Sequence, residues 1–420
     1  MNSTAARRVD LLHYAAPPVV GGVESVLERH ARLMLANGCQ VRILAGRGNE
    51  FDPRVPFISI PLVDSLHPDI LAAKDVLDHG EIPSNFNALV DSLLQTLAEI
   101  TAGTDILIAH NVASLAKNLA LTAALYLLSQ KALRPKLILW QHDLAWTTPR
   151  YRQELHPGYP WDLLRTAWPG VLFVTVSQGR KDELATLLGI PESQIHVIPN
   201  GVDYASFYKL EQKTAQLVRE LNLLTADPLL LLPVRLTPRK NIEFALQVVA
   251  ALKETHPDTM LVVTGPLGAH NPDNVQYLEH LLSQRAELNL TGSVHFLAEL
   301  DPDYLPDPVI ADFYRLADAL FLPSKEEGFG IPLIEAGFSG LPIFCSDIPP
   351  FRELGAPSDH AQPLVNYFSL EDSPIRVAGQ IDEKLASSPE YQWRMRCRRE
   401  YSWEMIYHTR IAPLLEISGG

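Results

Sequence analysis

Cysteine is scarce in this chain of 420 residues, and bases are outnumbered by acids. The three cysteines, Cys39, Cys345 and Cys397, stand far apart and form no C-x-x-C pair. That excludes a disulfide framework and a cysteine metal site, and they read as reduced packing residues. With 35 Lys and Arg against 49 Asp and Glu, the formal charge is −14, which argues against a general nucleic-acid binder. Long apolar runs are missing too: nothing approaches the roughly 18 residues of a membrane span. Met1 to Asp10 holds no apolar signal-peptide core, so a cytoplasmic chain is expected. What is present is a globular composition, 47% hydrophobic and 20% charged, with length for two or three domains.

Strand-like and helix-like patterns alternate almost throughout, the mark of α/β units built on parallel sheets. Val9 to Tyr14 predicts a strand, and Val23, Val26, Leu27, Ala31, Met34 and Leu35 form one apolar helical stripe. Asn37-Gly38 stops that helix before the next strand at Val41 to Leu44. Ile106 to Ala109, Lys136 to Trp140 and Val171 to Val176 continue the series. A second series follows Asn200-Gly201-Val202-Asp203, with strands at Leu229 to Val234, Met260 to Thr264, Val294 to Leu297, Ala319 to Leu322 and Pro342 to Cys345. Two doubly wound domains joined near residues 200 to 225 are expected. The helical tail from Trp393 to Ile417 could pack on either.

Three segments carry chemistry. Pro17-Pro18-Val19-Val20-Gly21-Gly22 lies between the first strand and its helix, where paired glycines admit a ligand to the backbone and free amides favour an anion. A plain turn would look the same, and the dinucleotide fingerprint is absent. Arg235 and Lys240 follow a buried strand, at the end of a parallel sheet where ligands of open α/β folds bind. A fork and a point charge together suit a diphosphate, although a basic loop is often only a solvated surface. In Ser324 to Gly337 a strand runs into Glu327-Gly328-Phe329-Gly330-Ile331, and Pro332 suits the first turn of a helix. Its amino end can hold phosphate, and Glu335 can accept two ribose hydroxyls. Helix-dipole preference alone would explain Glu335 but not the Gly-Phe-Gly loop.

Glu327-Gly-Phe-Gly through Glu335, followed by Gly340-Leu341-Pro342 and Ser346-Asp347, resembles the E-x7-E signature of retaining GT-B glycosyltransferases of family 4. The Arg235/Lys240 pair, Gly21-Gly22-Val23-Glu24, Pro199 to Asp203 and Tyr401-Ser402-Trp403-Glu404 match in the same order. The resemblance implies two Rossmann-like domains facing across a cleft: an acceptor-side domain over 1–205, a donor-binding domain over 206–397, and a terminal helix, about 398–420, returning to the first. It implies transfer of a hexose from a nucleotide diphosphosugar, with retention, to a sugar, lipid or small-molecule acceptor. Arg235 and Lys240 would neutralise the diphosphate and Glu335 would bind ribose. Glu327 and the backbone at Phe329, Gly330 and Ile331 would hold the sugar. Gly22 would lie near the diphosphate, and His142, ending the strand Leu137 to Trp140, would reach the donor sugar. His110-Asn111, ending the preceding strand, is a weaker candidate.

Other readings stay open. The aromatics Trp146, Tyr151, Tyr159, Trp161 and Trp168 could bind an acceptor or simply pin their own loop. Arg394, Arg396, Arg398 and Arg399 could touch anionic lipid, but a solvated helix face is the favoured reading. Asp301-Pro302-Asp303 spells the D-x-D of metal-dependent transferases yet falls in a turn, so no metal and no other cofactor is expected. A nucleotide-sugar epimerase or a glycan phosphorylase would share the fold, and a non-catalytic sugar-nucleotide binder is the third alternative.

Overall fold

The computed structural model describes residues 6–131, 135–266, 273–301, 304–356 and 364–417. The chain divides into two compact units, residues 1–201 with 403–420, and residues 202–402.

The first unit runs β1 (Arg8–Ala15), α1 (Gly22–Ala36), β2 (Gln40–Arg47), β3 (Phe57–Ser59), α2 (Pro68–Asp78), α3 (Phe86–Ile100), β4 (Ile106–His110), α4 (Leu119–Ser129), β5 (Lys136–Gln141), β6 (Leu172–Thr175), α5 (Gln178–Leu188) and β7 (Ile195–Val197). All strand pairs are parallel, in the order β3-β2-β1-β4-β5-β6-β7. Such a sheet is covered on both faces, so its central strands read as unbroken apolar runs. Side chains alternate between the faces. Leu12, Leu107 and Leu139 face the layer of α3 and α4, whereas Leu11, Ile108 and Ile138 face the layer of α1. The tail completes that second layer: Trp403, Ile406, Tyr407, Ile411 and Leu414 are buried in the same core.

The second unit runs α6 (Tyr204–Tyr208), α7 (Gln212–Glu220), β8 (Leu229–Leu232), α8 (Ile242–Lys253), β9 (Met260–Val263), α9 (Asp273–Glu287), β10 (Val294–Phe296), α10 (Asp307–Leu316), β11 (Ala319–Leu322), α11 (Ile331–Ser339), β12 (Ile343–Ser346), α12 (Pro349–Leu354), β13 (Asn366–Phe368), α13 (Pro374–Ala386) and α14 (Pro389–Tyr401). Its sheet, β10-β9-β8-β11-β12-β13, is again parallel. Both sheets reverse winding direction beside their first strand, between β1 and β4 and between β8 and β11. In open α/β sheets, the carboxyl ends of the strands at that point form the ligand crevice.

The crossings between units fall at Gly201/Val202 and Ser402/Trp403, a few residues from the expected 205/206 and 397/398. The reason is α14. Arg398 forks onto buried Asp318 at 2.8 and 3.1 Å, and Arg394 donates to the carbonyls of Ala317 and Arg315. Val202 N–H donates to the Tyr401 carbonyl at 2.8 Å. Helix α14 is therefore held within the second unit to its last turn. The same bonds occupy the arginines considered for lipid: Arg399 pairs with Asp227 and Asp258, and Arg396 with Glu400. No helix among the described residues is long and apolar enough to cross a membrane.

Candidate functional site

Arg235, Lys240, Glu327, Glu335 and the Phe329-Gly330-Ile331 backbone all lie in the loops and helix starts that follow β8 and β11. The two loops are stitched together: Lys325 N–H donates to the Arg239 carbonyl at 2.8 Å. Lys240 closes a single 3-10 turn, Pro238–Lys240, and is buried. Its ammonium donates to Glu327 Oε1 at 2.5 Å, and Ser324 Oγ donates to the same oxygen at 2.8 Å. Both charged side chains of the pair are more than nine-tenths buried. A buried pair of this kind persists when further hydrogen bonds satisfy it. Oε2 of Glu327 carries no hydrogen bond to a described residue, so one carboxylate oxygen is fixed and the other is left to accept.

Gly330, at φ +106°, turns the β11 loop into α11. That left-handed value favours glycine, and an added Cβ would stand 3.0 Å from the Phe351 ring. Helix α11 starts at Ile331; Pro332 has no N–H and the Leu333 N–H donates to the Gly330 carbonyl at 3.0 Å, so Ile331 holds the first-turn amide without a partner among the described residues. Glu335, one turn on, is exposed, and its Oε2 accepts from the Tyr314 hydroxyl of α10 at 2.5 Å. Burial, then Glu335, drives the Tyr314 phenol well above its usual range, so this hydroxyl stays a donor. Glu335 Oε1 has no hydrogen bond to a described residue.

Arg235 and Glu335 line one cavity of about 670 Å³, together with Tyr304, Pro332, Phe338 and Gly265. At Gly265 a Cβ would lie 1.8 Å from the Val234 carbonyl, so only glycine lets these strand ends close up. The guanidinium of Arg235 makes no hydrogen bond or ion pair with a described residue. A cationic fork, a carboxylate and the amino end of α11 at Ile331 thus surround a space within the usual range for ligand pockets. Tyr314 escaped the sequence reading and Ser324 was given no role in it, because only the fold brings them against Glu335 and Glu327.

In the first unit, Gly22 opens α1, and a Cβ there would meet nothing within 4 Å. His142 follows β5, and its position is set by Asn111 at the end of β4. Asn111 is buried and left-handed, φ +59°. Its Oδ1 accepts the N–H groups of His142 at 2.8 Å and Asp143 at 3.1 Å, and the Ser114 hydroxyl at 3.2 Å. His142 Nε2 meets His110 Nδ1 at 3.3 Å, and its Nδ1 has no partner among the described residues. His13 Nδ1 donates to the His110 carbonyl at 2.7 Å, and its Nε2 lies 3.9 Å from Glu24. Burial, then the charge of His13, lowers His142 to about 4, so its ring is neutral at pH 7.

The aromatic loop is pinned by its own side chains. Trp161 and Trp168 are buried, and Arg165 stacks on Trp146 at 4.0 Å. Of the D-x-D residues, Asp301 pairs with Lys213 at 3.2 Å, while Pro302 and Asp303 lie outside the described residues. Among the described residues, no group of three or more His, Cys, Asp and Glu is placed to hold a metal ion.

Two family models match this chain in the order of its units. Glycosyltransferase Family 4 covers residues 20–206, and Glycosyl transferases group 1 covers 214–372. The chain belongs to this family of glycosyltransferases, and its two doubly wound units are those of the GT-B type. Mannosylglucosylglycerate synthase of Petrotoga mobilis is 26% identical over 67% of this chain and 68% of its own length. The protein of the same name from Thermotoga maritima is 23% identical over 90% of this chain and 88% of its own. D-inositol 3-phosphate glycosyltransferase of Nocardia farcinica is 30% identical over 40% of this chain, a stretch that is 35% of that protein.

Proposed function

We propose that the chain transfers a hexose from a nucleotide diphosphosugar to a hydroxyl acceptor, with retention at the anomeric carbon and without a divalent metal. The observation that carries this reading is the grouping of Arg235, Lys240, Glu327, Glu335 and the start of α11 around one strand mouth. Breaking the anomeric C–O bond leaves negative charge on the departing diphosphate. Arg235, the ammonium of Lys240 and the positive end of α11 with its Ile331 amide supply positive charge fixed in advance of that event. Glu335 Oε1 is free to accept a ribose hydroxyl while Tyr314 holds Oε2. Glu327 Oε2 is free for a hydroxyl of the transferred sugar while Lys240 and Ser324 hold Oε1. His142, neutral and oriented by Asn111, serves as a further hydrogen-bonding partner of that sugar, and Gly22 admits the diphosphate.

Calorimetry with uridine, guanosine and adenosine diphosphates tests the nucleoside role. Glu335→Ala should weaken the best of them by roughly 1.5–3 kcal/mol, the scale of hydrogen bonds to a charged group. Unchanged affinity in a folded variant would remove Glu335 from the site.

Asn111 gives a second expectation. Asn111→Ala frees the His142 backbone and should lower kcat by about tenfold or more, since small misplacements of positioned groups are costly. Donor KM should hold, and Asn111→Asp, which keeps an acceptor oxygen, should restore most of the rate. A KM rise at constant kcat would contradict this role.

A further inference from the structure

A second concave site lies wholly in the first unit, at the outer edge of its sheet. It has a volume of about 480 Å³ and is walled by the first turns of α5, by β7, and by the tail helix near Arg410. Three of its lining side chains are basic, Lys181, His196 and Arg410, and none is Asp or Glu. In a chain of charge −14, that is a marked local reversal.

The acids of α5 next to Lys181 are engaged elsewhere. Asp182 accepts from Gln178 at 2.8 Å, and Glu183 accepts from Arg180 and Thr147, each at 2.7 Å. Lys181 is partly buried, yet its ammonium has no hydrogen bond or ion pair with a described residue. Arg410 makes one long approach, 3.5 Å, to the Val197 carbonyl, which leaves most of its N–H groups to donate. His196 is also without a side-chain partner among the described residues. Burial, then the charge of Lys181, holds it below the usual histidine range, so the two groups repel. Basic residues beside an edge strand also guard it against pairing with other chains. That duty needs charges reaching into solvent, as exposed Arg410 does; the partly buried Lys181 and His196 instead line the cavity beside it.

We propose that this cavity is an anion site for a small phosphate monoester. An arginine fork, an ammonium and an imidazole N–H match the oxygens of a phosphate, and the anion converts their mutual repulsion into attraction. Ser193 adds a hydroxyl, and Pro413 and Leu414 supply an apolar wall for the organic part. The volume lies in the range of small-molecule pockets, roughly 300–1,000 Å³.

Hydrogen–deuterium exchange of the full chain reads the site locally, so anion binding in the second unit does not confuse it. Glycerol 3-phosphate should slow exchange in segments 193–198 and 409–414, and glycerol at equal concentration should not. Lys181→Ala and Arg410→Ala should each raise the half-saturating concentration by roughly 10- to 100-fold, one charge-assisted hydrogen bond's worth. Lys181→Arg should retain most of the protection. Vesicles of phosphatidic acid, against phosphatidylcholine, separate the two sources of the monoester: protection by vesicles alone assigns it to a lipid headgroup, and protection by the soluble ester assigns it to a metabolite. Absence of protection by either, or protection that survives both alanine variants, overturns the proposal.

Discussion

Donor turnover by Lys240→Ala should fall by roughly 10²–10³-fold, the loss seen when one fixed donor to a developing oxyanion is removed. The effect belongs to rate more than to binding, because charge on the leaving diphosphate grows as the anomeric bond breaks. The structure adds a second component. Lys240 is the cation that holds Glu327 Oε1 at 2.5 Å, and without it a buried carboxylate keeps only Ser324. Glu327 would then be free to turn, and the oxygen proposed to meet the sugar would be misplaced. Lys240→Arg, which retains charge but not the compact ammonium, should recover only part of the rate. The assay is initial donor turnover in excess chelator, with nucleoside diphosphate affinity measured on the same preparations to show that the second unit is folded. Wild-type turnover should survive the chelator. If it is abolished and magnesium restores it, the cationic-pair mechanism is wrong, and Asp301 and Asp303 return as metal-binding candidates.

Central strands were legible in the sequence because burial on both faces writes itself as a run. Leu229 to Leu232 and Ala319 to Leu322 are such runs, and their downstream loops could be searched for chemistry at once. Of the outer strands only Val294–Phe296 was legible, from its apolar ends. Phe57–Ser59, Ile195–Val197 and Asn366–Phe368 are three residues each, too short for a periodicity to mark, and only pairing with a neighbour defines them. The basic cavity beside Ile195–Val197 was invisible for the same reason: Lys181, His196 and Arg410 are brought together by an edge that has no sequence signature. At the strand mouths the charged residues announced themselves, whereas their partners Ser324 and Tyr314 are common residue types made specific by tertiary contact. His30 was hidden differently. It sits within the apolar stripe of α1, fully buried between Leu27 and Met34, where a count of hydrophobic positions passes over it.

That histidine makes the stability of the first unit dependent on pH. His30 is packed against His110, Trp140 and Trp403, with ring centroids at 5.3, 4.5 and 5.3 Å, and neither ring nitrogen has a partner among the described residues. Burial, then the charge of His142, lowers it to about 3, and burial, then the charge of His13, lowers His142 to about 4. His110 is driven down as well, by burial and then by its histidine neighbours. Facing this group are His13 and Glu24 from β1 and α1, and Asp143 beyond β5. In the unfolded chain each histidine titrates near 6.5. The folded values are depressed, so this contribution is complete above about pH 6.5 and is lost as pH falls, because the unfolded state then binds more protons. At pH 5 the loss is about 2 kcal/mol for each of His30 and His142, a sizeable share of the 5–15 kcal/mol that holds a typical domain folded. Urea unfolding followed by the fluorescence of the buried Trp140 and Trp403 should therefore show a midpoint that drops steeply between pH 6.5 and 5. His30→Leu should lower the slope of stability against pH by about 1.4 kcal/mol per pH unit, one proton's worth, relative to wild type. The comparison cancels carboxylates and every other group common to both chains. Parallel profiles for the two proteins would mean that His30 takes up its proton without unfolding the layer around α1, and that this core tolerates the charge.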